Sequence, residues 1–400
     1  MSPRFRTALL NVLLFTAGVF VALLVCEGAL RIVDFSFPSF YLPDDRLGMR
    51  LRPNAEGWFR SEGEAYVKVN SAGFRDRERS LTKPPGTFRI VVLGDSMIEA
   101  LQVDFDETFT AILEQQLNAC GAFGGKKVEV LNLGVSGYGT AQQLLTFRHF
   151  GSKYSPDLVL VAFFAGNDVR NNSRSLEPET VRPFFTLRGD KLVEDRTFAE
   201  SPEFQRRTNL LRTVLEPLRV LRVVQAAYFI KDQLLLRESA APEARVAGQR
   251  AEAGLDDAVY AEPATPKWRE AWTVTERLFA QLRDEVQASG AKLTILSLSS
   301  GIQVHPDPDL RAKFVRANGI ADIFYPNRRG EKVAAQLEVQ SILLGPVFQD
   351  TAEREKIYFH GFPNTRMGTG HWNEAGNRMA SEVVASRLCS AASAATQGSK

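Results

Sequence analysis

FRIVVLGDS, residues 88–96, is a short run of aliphatic and β-branched side chains that stops at Gly94 and passes at once to Asp95 and Ser96. An apolar run this short, closed by glycine, reads as a parallel strand buried on both faces. Working outward, VEVLNLG (128–134), DLVLVAFF (157–164) and KLTILSLS (292–299) repeat the pattern. Between them lie helix-period segments. Glu107–Ala119 carries Phe109, Ile112, Leu113 and Leu117 on one face, TAQQLLTFRHF follows the second strand, and Trp268–Gln287 precedes the fourth. Glu374–Leu388, with Ala375, Met379 and Val383 on one face, closes the series. Strands alternating with helices predict a parallel sheet covered on both sides, with function at the C-terminal strand ends.

The remainder of the 400 residues divides around this unit. Ala8–Cys26 is apolar except for Asn11 and Thr16, and at about 1.5 Å per residue it nearly crosses a hydrocarbon core of about 30 Å. Arg4 and Arg6 precede it, which predicts a cytoplasmic N-terminus and an outward-facing, periplasmic remainder, with 1–35 a single-pass anchor in a bacterial-type inner membrane. A cleaved signal peptide is the rival reading, against which stand the length of the run and the lack of a small-x-small site; bulky Val25 before Cys26 argues against a lipoprotein signal. Residues 36–87 read as a connecting region of short strands and turns. Residues 171–265 interrupt the alternation as an insertion. Within it, Arg182–Arg196 reads as a hairpin turning at Gly189-Asp190. Thr208–Leu236 reads as a helix kinked at Pro217, with Leu211, Val214, Leu215, Leu218, Leu221 and Val224 on its apolar face and arginines 206, 207, 212, 219 and 222 around it. It suits either a lid packed on the domain or a basic helix on the bilayer surface. Residues 237–265 read as a flexible linker and 391–400 as a disordered tail.

Composition narrows the classes. Forty-nine Lys+Arg balance 47 Asp+Glu for a net charge of +2, which gives no case for nucleic-acid binding, and the 44% hydrophobic content suits a globular core. Three cysteines exclude a disulfide-built mini-fold, and no Cys/His spacing suggests zinc.

Each of the first three strands ends in a polar or glycine-bearing turn: Gly94-Asp95-Ser96, Asn132-Leu133-Gly134 and Gly166-Asn167-Asp168. Gly370-His371-Trp372-Asn373 stands just before the last helix. A serine exposed at a strand end is a nucleophile if a histidine reaches it. The Ser96 N–H, the Gly134 N–H and the uncharged amide of Asn167 are candidate donors to an oxyanion. Taken singly, each block also suits a plain turn or helix cap; Asp95 suits bonding to local backbone, and Trp372 and Asn373 support of the histidine loop. His149 reads as packing or surface, His305 as loop, and His360 as a backup base.

In order, these blocks resemble the four conserved blocks of the SGNH (GDSL-type) hydrolases, over about 88–170 and 266–390. The resemblance implies a flavodoxin-like three-layer α/β/α sandwich and ester hydrolysis or acyl transfer without metal or redox cofactor. It assigns Ser96 as nucleophile, His371 as base, and Ser96, Gly134 and Asn167 as oxyanion donors, with Asp95, Asp168 and Asn373 supporting. Anchor and outward domain resemble the envelope-facing branch that acts on O-acetylated polysaccharide, so an acylated carbohydrate or other small ester is the expected substrate.

The family's acid two or three residues before the histidine is absent: Thr369 and Gly368 stand there. A Ser–His dyad, a carboxylate from elsewhere (Asp350, Glu353 or Glu374), or a weak enzyme acting as a glycan-binding or scaffold protein of polysaccharide assembly are the open readings. A lipid or thioester hydrolase is a further one. In a flavodoxin-like sandwich the helices ending at Cys120 and Cys389 lie side by side and run the same way, so either a Cys120–Cys389 disulfide or two buried thiols is expected.

Overall fold

The computed structural model describes residues 3–397 apart from 190, 212, 214, 215 and 244–254. In chain order its main elements are α1 (Pro3–Ile32), β1 (Tyr41–Asp44), β2 (Gly48–Leu51), β3 (Glu56–Phe59), β4 (Ala65–Lys68), β5 (Thr87–Leu93), α2 (Ser96–Glu99), α3 (Phe109–Cys120), β6 (Lys127–Asn132), α4 (Thr140–His149), β7 (Leu158–Phe163) and α5 (Ala165–Asn171). Then come β8 (Phe184–Arg188), β9 (Lys191–Asp195), α6 (Pro202–Leu210), α7 (Glu216–Leu218), α8 (Arg222–Glu243), α9 (Pro266–Ala288), β10 (Lys292–Ser297), α10 (Pro308–Ala317), α11 (Tyr325–Gln336), β11 (Gln340–Leu343), α12 (Gly345–Glu355) and α13 (Glu374–Gln397).

Five strands form one parallel sheet in the order β6-β5-β7-β10-β11. This is the doubly wound 2-1-3-4-5 order of flavodoxin-like folds. Because side chains alternate across a strand, each strand serves two cores. Val91, Leu93, Val159, Val161 and Phe163 pack with α4 and α9 on one face. Ile90, Val92, Leu158, Leu160 and Ala162 pack with α3, α12 and α13 on the other. The result is a three-layer α/β/α sandwich. On the second face α3 and α13 lie together, and a disulfide joins Cys120 to Cys389 with Cα atoms 6.4 Å apart.

The connecting region folds as two antiparallel hairpins, β1–β2 and β3–β4. They join the sandwich through single polar contacts as well as apolar ones: the Tyr138 hydroxyl donates to the Met49 carbonyl at 2.7 Å. The insertion's hairpin is present as β8–β9; Asp190 of its turn lies outside the described residues. None of α1 is buried, and its C-terminal end meets the start of α8.

Three expectations need correction. Thr208–Leu236 is not one kinked helix: a turn at 219–221 separates α7 from α8, and Leu211 and Thr213, between α6 and α7, are π-helical. Arg212, Val214 and Leu215 lie outside the described residues. The supposed linker is partly ordered: residues 237–243 continue α8, and Val259 and Tyr260 are buried; 244–254 lie outside the described residues. Residues 391–397 extend α13 rather than forming a tail, and 398–400 lie outside the described residues. Finally, the edge strand β11 and helices α10, α11 and α12 complete the sandwich.

Candidate active site

Strands β5, β6 and β7 are adjacent and parallel, so the turns after them open at the same edge of the sheet. The first turn starts α2. Asp95 caps it, its Oδ1 accepting the Met97 N–H at 3.0 Å, and Ser96 is the first helical residue, partly exposed. The other Asp95 oxygen accepts from Asn167 Nδ2 at 3.1 Å. Asp95 therefore holds the Asn167 amide by one of its two N–H groups and leaves the second for a ligand. Burial pushes the Asp95 carboxyl up, opposed by these hydrogen bonds and by His371. Asp168, wholly buried, is raised well above the carboxylate range by burial and then by Asp95; its Oδ2 accepts the Phe164 N–H at 3.0 Å, which ties the third turn back to its strand.

Gly134 departs from its expected part. Its N–H donates to Asn132 Oδ1 at 2.9 Å, and Asn132 donates in turn to the Ile98 carbonyl at 2.7 Å. A Cβ at Gly134 would lie 2.7 Å from the Glu99 nitrogen, so the glycine makes room for α2. To serve an oxyanion, this N–H must share or leave the Asn132 bond.

His371 is held by a carboxylate from another part of the chain. Its Nδ1 hydrogen-bonds Glu62 Oε2, and its backbone N–H donates to Glu62 Oε1 at 3.0 Å. Glu62 lies at the tip of the β3–β4 hairpin. Asn364 clamps that tip, accepting the Gly63 N–H at 2.9 Å and donating to the Gly63 carbonyl at 3.0 Å. Two glycines before the histidine explain why the acid comes from there. Gly368 has φ +83°, and a Cβ on it would meet His305 Cδ2 at 2.6 Å, so an aspartate does not fit. Gly370 has φ +78°, and a Cβ there would lie 2.1 Å from Glu62 Oε1, in the space the carboxylate occupies. Burial opposes the charge on both partners. The pair overrides it, holding Glu62 low and His371 high, with Asp95 and Glu99 adding to the pull on the imidazole.

The three carboxylates expected as substitutes are elsewhere. Asp350 pairs with Arg354 at 2.7 Å, Glu353 pairs with Arg311, and Glu374 is exposed at the start of α13. His360 is not a second base: it is 1% exposed, its Nδ1 bonds the Gly370 carbonyl at 2.7 Å, and burial lowers its pKa to about 4. Asn373 supports the histidine loop, donating to the Tyr358 carbonyl at 2.9 Å and accepting the Gly376 N–H at 3.0 Å. Trp372 is buried against Phe109 and Phe348. His305 lies edge-on to Tyr358, and His149 ends α4, half-buried.

Beside His371 opens a cavity of about 400 Å³, lined among others by Tyr41, Phe59, Glu62, Leu101, Gln102 and Ser136. Under it lies a second carboxyl that the sequence did not mark. Glu99 is wholly buried, its Oε2 accepting from the Tyr41 hydroxyl at 2.7 Å and from Ser136 Oγ, and burial pushes it up to about 7.

Sheet order and the two helical layers define the class: the chain is a flavodoxin-like three-layer α/β/α sandwich, with the turns after β5 and β7 joined by the Asp95–Asn167 bond. Neither a protein-family model nor a curated protein matches the chain. Solved structures similar to it include the acetyl xylan esterase AlAXEase (11% identity, TM-score 0.36, 75% of this chain and 100% of that one). They also include the acetylxylan esterase Axe2 from Geobacillus stearothermophilus (10%, 0.36, 74% and 92%) and TesA (16%, 0.33, 74% and 95%).

Proposed function

We propose that the protein is a serine esterase or acyltransferase acting on a small O-acyl ester, with Ser96 as nucleophile, His371 as base and Glu62 as the acid that orients it. The observation that carries this is the pair of hydrogen bonds between His371 and Glu62. A carboxylate on Nδ1 fixes the tautomer that leaves Nε2 free to take a proton, and it stabilises the imidazolium that forms. Ser96 Oγ attacks the carbonyl carbon while its proton passes to His371 Nε2. The resulting oxyanion takes the Ser96 N–H and the free N–H of Asn167. The C–O bond then breaks, and the departing alcohol takes the proton from His371. Water or an acceptor hydroxyl, deprotonated by the same imidazole, then bonds the acyl carbon, the bond to Ser96 Oγ breaks, and the imidazolium returns the proton to Oγ. The binding-module reading rested on a missing acid, and Glu62 fills that place.

An anchored, outward-facing domain makes an O-acetyl group of envelope carbohydrate the substrate class we favour, with α1 crossing the inner membrane and the N-terminus inside. The test is hydrolysis of p-nitrophenyl acetate, butyrate and octanoate by the full chain in detergent. Acetate should be preferred, and Ser96→Ala should lower kcat by at least ~10³-fold. Activity retained in Ser96→Ala contradicts the mechanism, and preference for octanoate moves the substrate to lipid esters.

A further inference from the structure

We propose that the exposed apolar face of α8, with Leu218 and Val220 just before it, rests on the surface of the bilayer that holds α1. The proposal builds on the reading of α1 as a membrane span. From Thr7 to Cys26 that helix carries no charged residue. Those residues, at about 1.5 Å each, match the ~30 Å of hydrocarbon, so Glu27 marks the depth at which headgroups begin. The start of α8 is tied to this level: Glu27 accepts the Val223 N–H at 3.0 Å, and Arg31, paired with Glu27 at 2.7 Å, donates to the Val220 carbonyl at 3.1 Å.

The two sides of α8 differ. Gln225 and Phe229 face the protein: Gln225 accepts the Phe37 N–H at 2.9 Å, and the Phe229 ring meets Phe35 and Phe37 edge-on at 5.8 and 5.3 Å. Ala227, Ile230, Lys231 and Leu234 share another face by their three- and four-residue spacing, and all are exposed, Ile230 by 57% and Leu234 by 56%. Leu218 and Val220 continue the apolar surface, 41% and 56% exposed. Exposed apolar side chains with Lys231 among them and Arg219 between Leu218 and Val220, on a segment that starts at the depth where hydrocarbon ends, suit the boundary of an anionic bilayer. The same segment reaches the pocket's own hairpin, since Glu216 of α7 pairs at 2.7 Å with Arg52, next after β2. Contact with the bilayer therefore fixes the height at which Tyr41 and the cavity stand above it.

The experiment uses the full chain with Cys26→Ser, reconstituted in phosphatidylcholine–phosphatidylglycerol vesicles. Single cysteines at Ile230 and Leu234 carry a polarity-sensitive dye and are probed with a nitroxide fixed at the headgroup boundary. Leu13→Cys is the reference inside the membrane and Gln336→Cys, on α11, the reference in water. Quenching at 230 and 234 at least ~3-fold above that at 336 supports the proposal. Quenching at 230 and 234 equal to that at 336, with Leu13→Cys quenched, overturns it while leaving the anchor intact. An unquenched Leu13→Cys removes anchor and proposal together. Shielding from water without lipid quenching, with crosslinks between chains, assigns the face to a second copy and also overturns it. Ala227→Cys repeats the measurement with minimal change to the helix.

Discussion

Replacing Glu62 by Gln keeps the shape of the side chain and removes its charge. His371 then loses a charge-assisted bond at Nδ1, worth ~1.5–3 kcal/mol, and keeps a weaker one at its backbone N–H. The neutral amide also ceases to select the tautomer with Nε2 free, an effect that costs up to ~10⁴ in kcat in serine proteases. For a pair that is partly exposed, we expect kcat/KM for p-nitrophenyl acetate to fall ~10²–10³-fold. The pH profile adds a sign. Glu62 holds the His371 pKa up, and the base acts when neutral, so the acid limb of kcat/KM must move to lower pH in Glu62→Gln. Gly370→Ala should reproduce much of the loss, because its Cβ takes the space of Glu62 Oε1. Asp350→Asn, Glu353→Gln and Glu374→Gln should stay within ~2-fold of the native rate, being exposed and paired elsewhere or unpaired with the site. A Glu62→Gln enzyme with native kcat/KM and an unmoved acid limb would refute the reasoning.

Further outcomes follow from the same geometry. Asn167→Ala should lower kcat ~10²–10³-fold with KM little changed, as read by steady-state kinetics, since its amide acts on the oxyanion and not on the bound ester. Glu99, held at about 7 by burial, is raised above its unfolded value, so its contribution to stability is greatest when protonated and is lost as pH rises through about 7. Thermal melts should show native stability falling from about pH 4.5 to about pH 7 and levelling above it, with Glu99→Gln largely free of that fall. Cys389→Ser opens a link between residues 269 apart in sequence and should lower Tm by ~3–8 °C, measured without reductant against the oxidised native chain.

Much of the sandwich was legible because its central strands are continuous apolar runs closed by polar turns. Edge strand β11 was not: QSIL is four residues with two of them polar, too short and mixed for any period to show. The break at 219–221 was misplaced because Pro217, a helix breaker by its missing N–H, drew the reading to itself, while the turn falls just after it. Ser96, Asn167 and His371 stand in local motifs, which is what marks them as candidates in the sequence. Glu62 is not so marked, since its partner is 309 residues away and a lone glutamate at a hairpin tip carries no signal. The available hint was local: Gly368 and Thr369 stand in place of the usual acid, and Gly370 beside the histidine leaves room for a carboxylate from outside. Glu99 lay one helical turn beyond Ser96, and only tertiary burial distinguishes it from an ordinary α2 surface residue.

The central claim is that Ser96 is a nucleophile activated by His371 and Glu62. Peptide mapping of the full chain after brief exposure to a fluorophosphonate tests it most directly. The account predicts one phosphonylated peptide, carrying the adduct on Ser96, formed much more slowly in Glu62→Gln and not at all in His371→Ala. An adduct on a different serine, or none on the folded native chain, contradicts it.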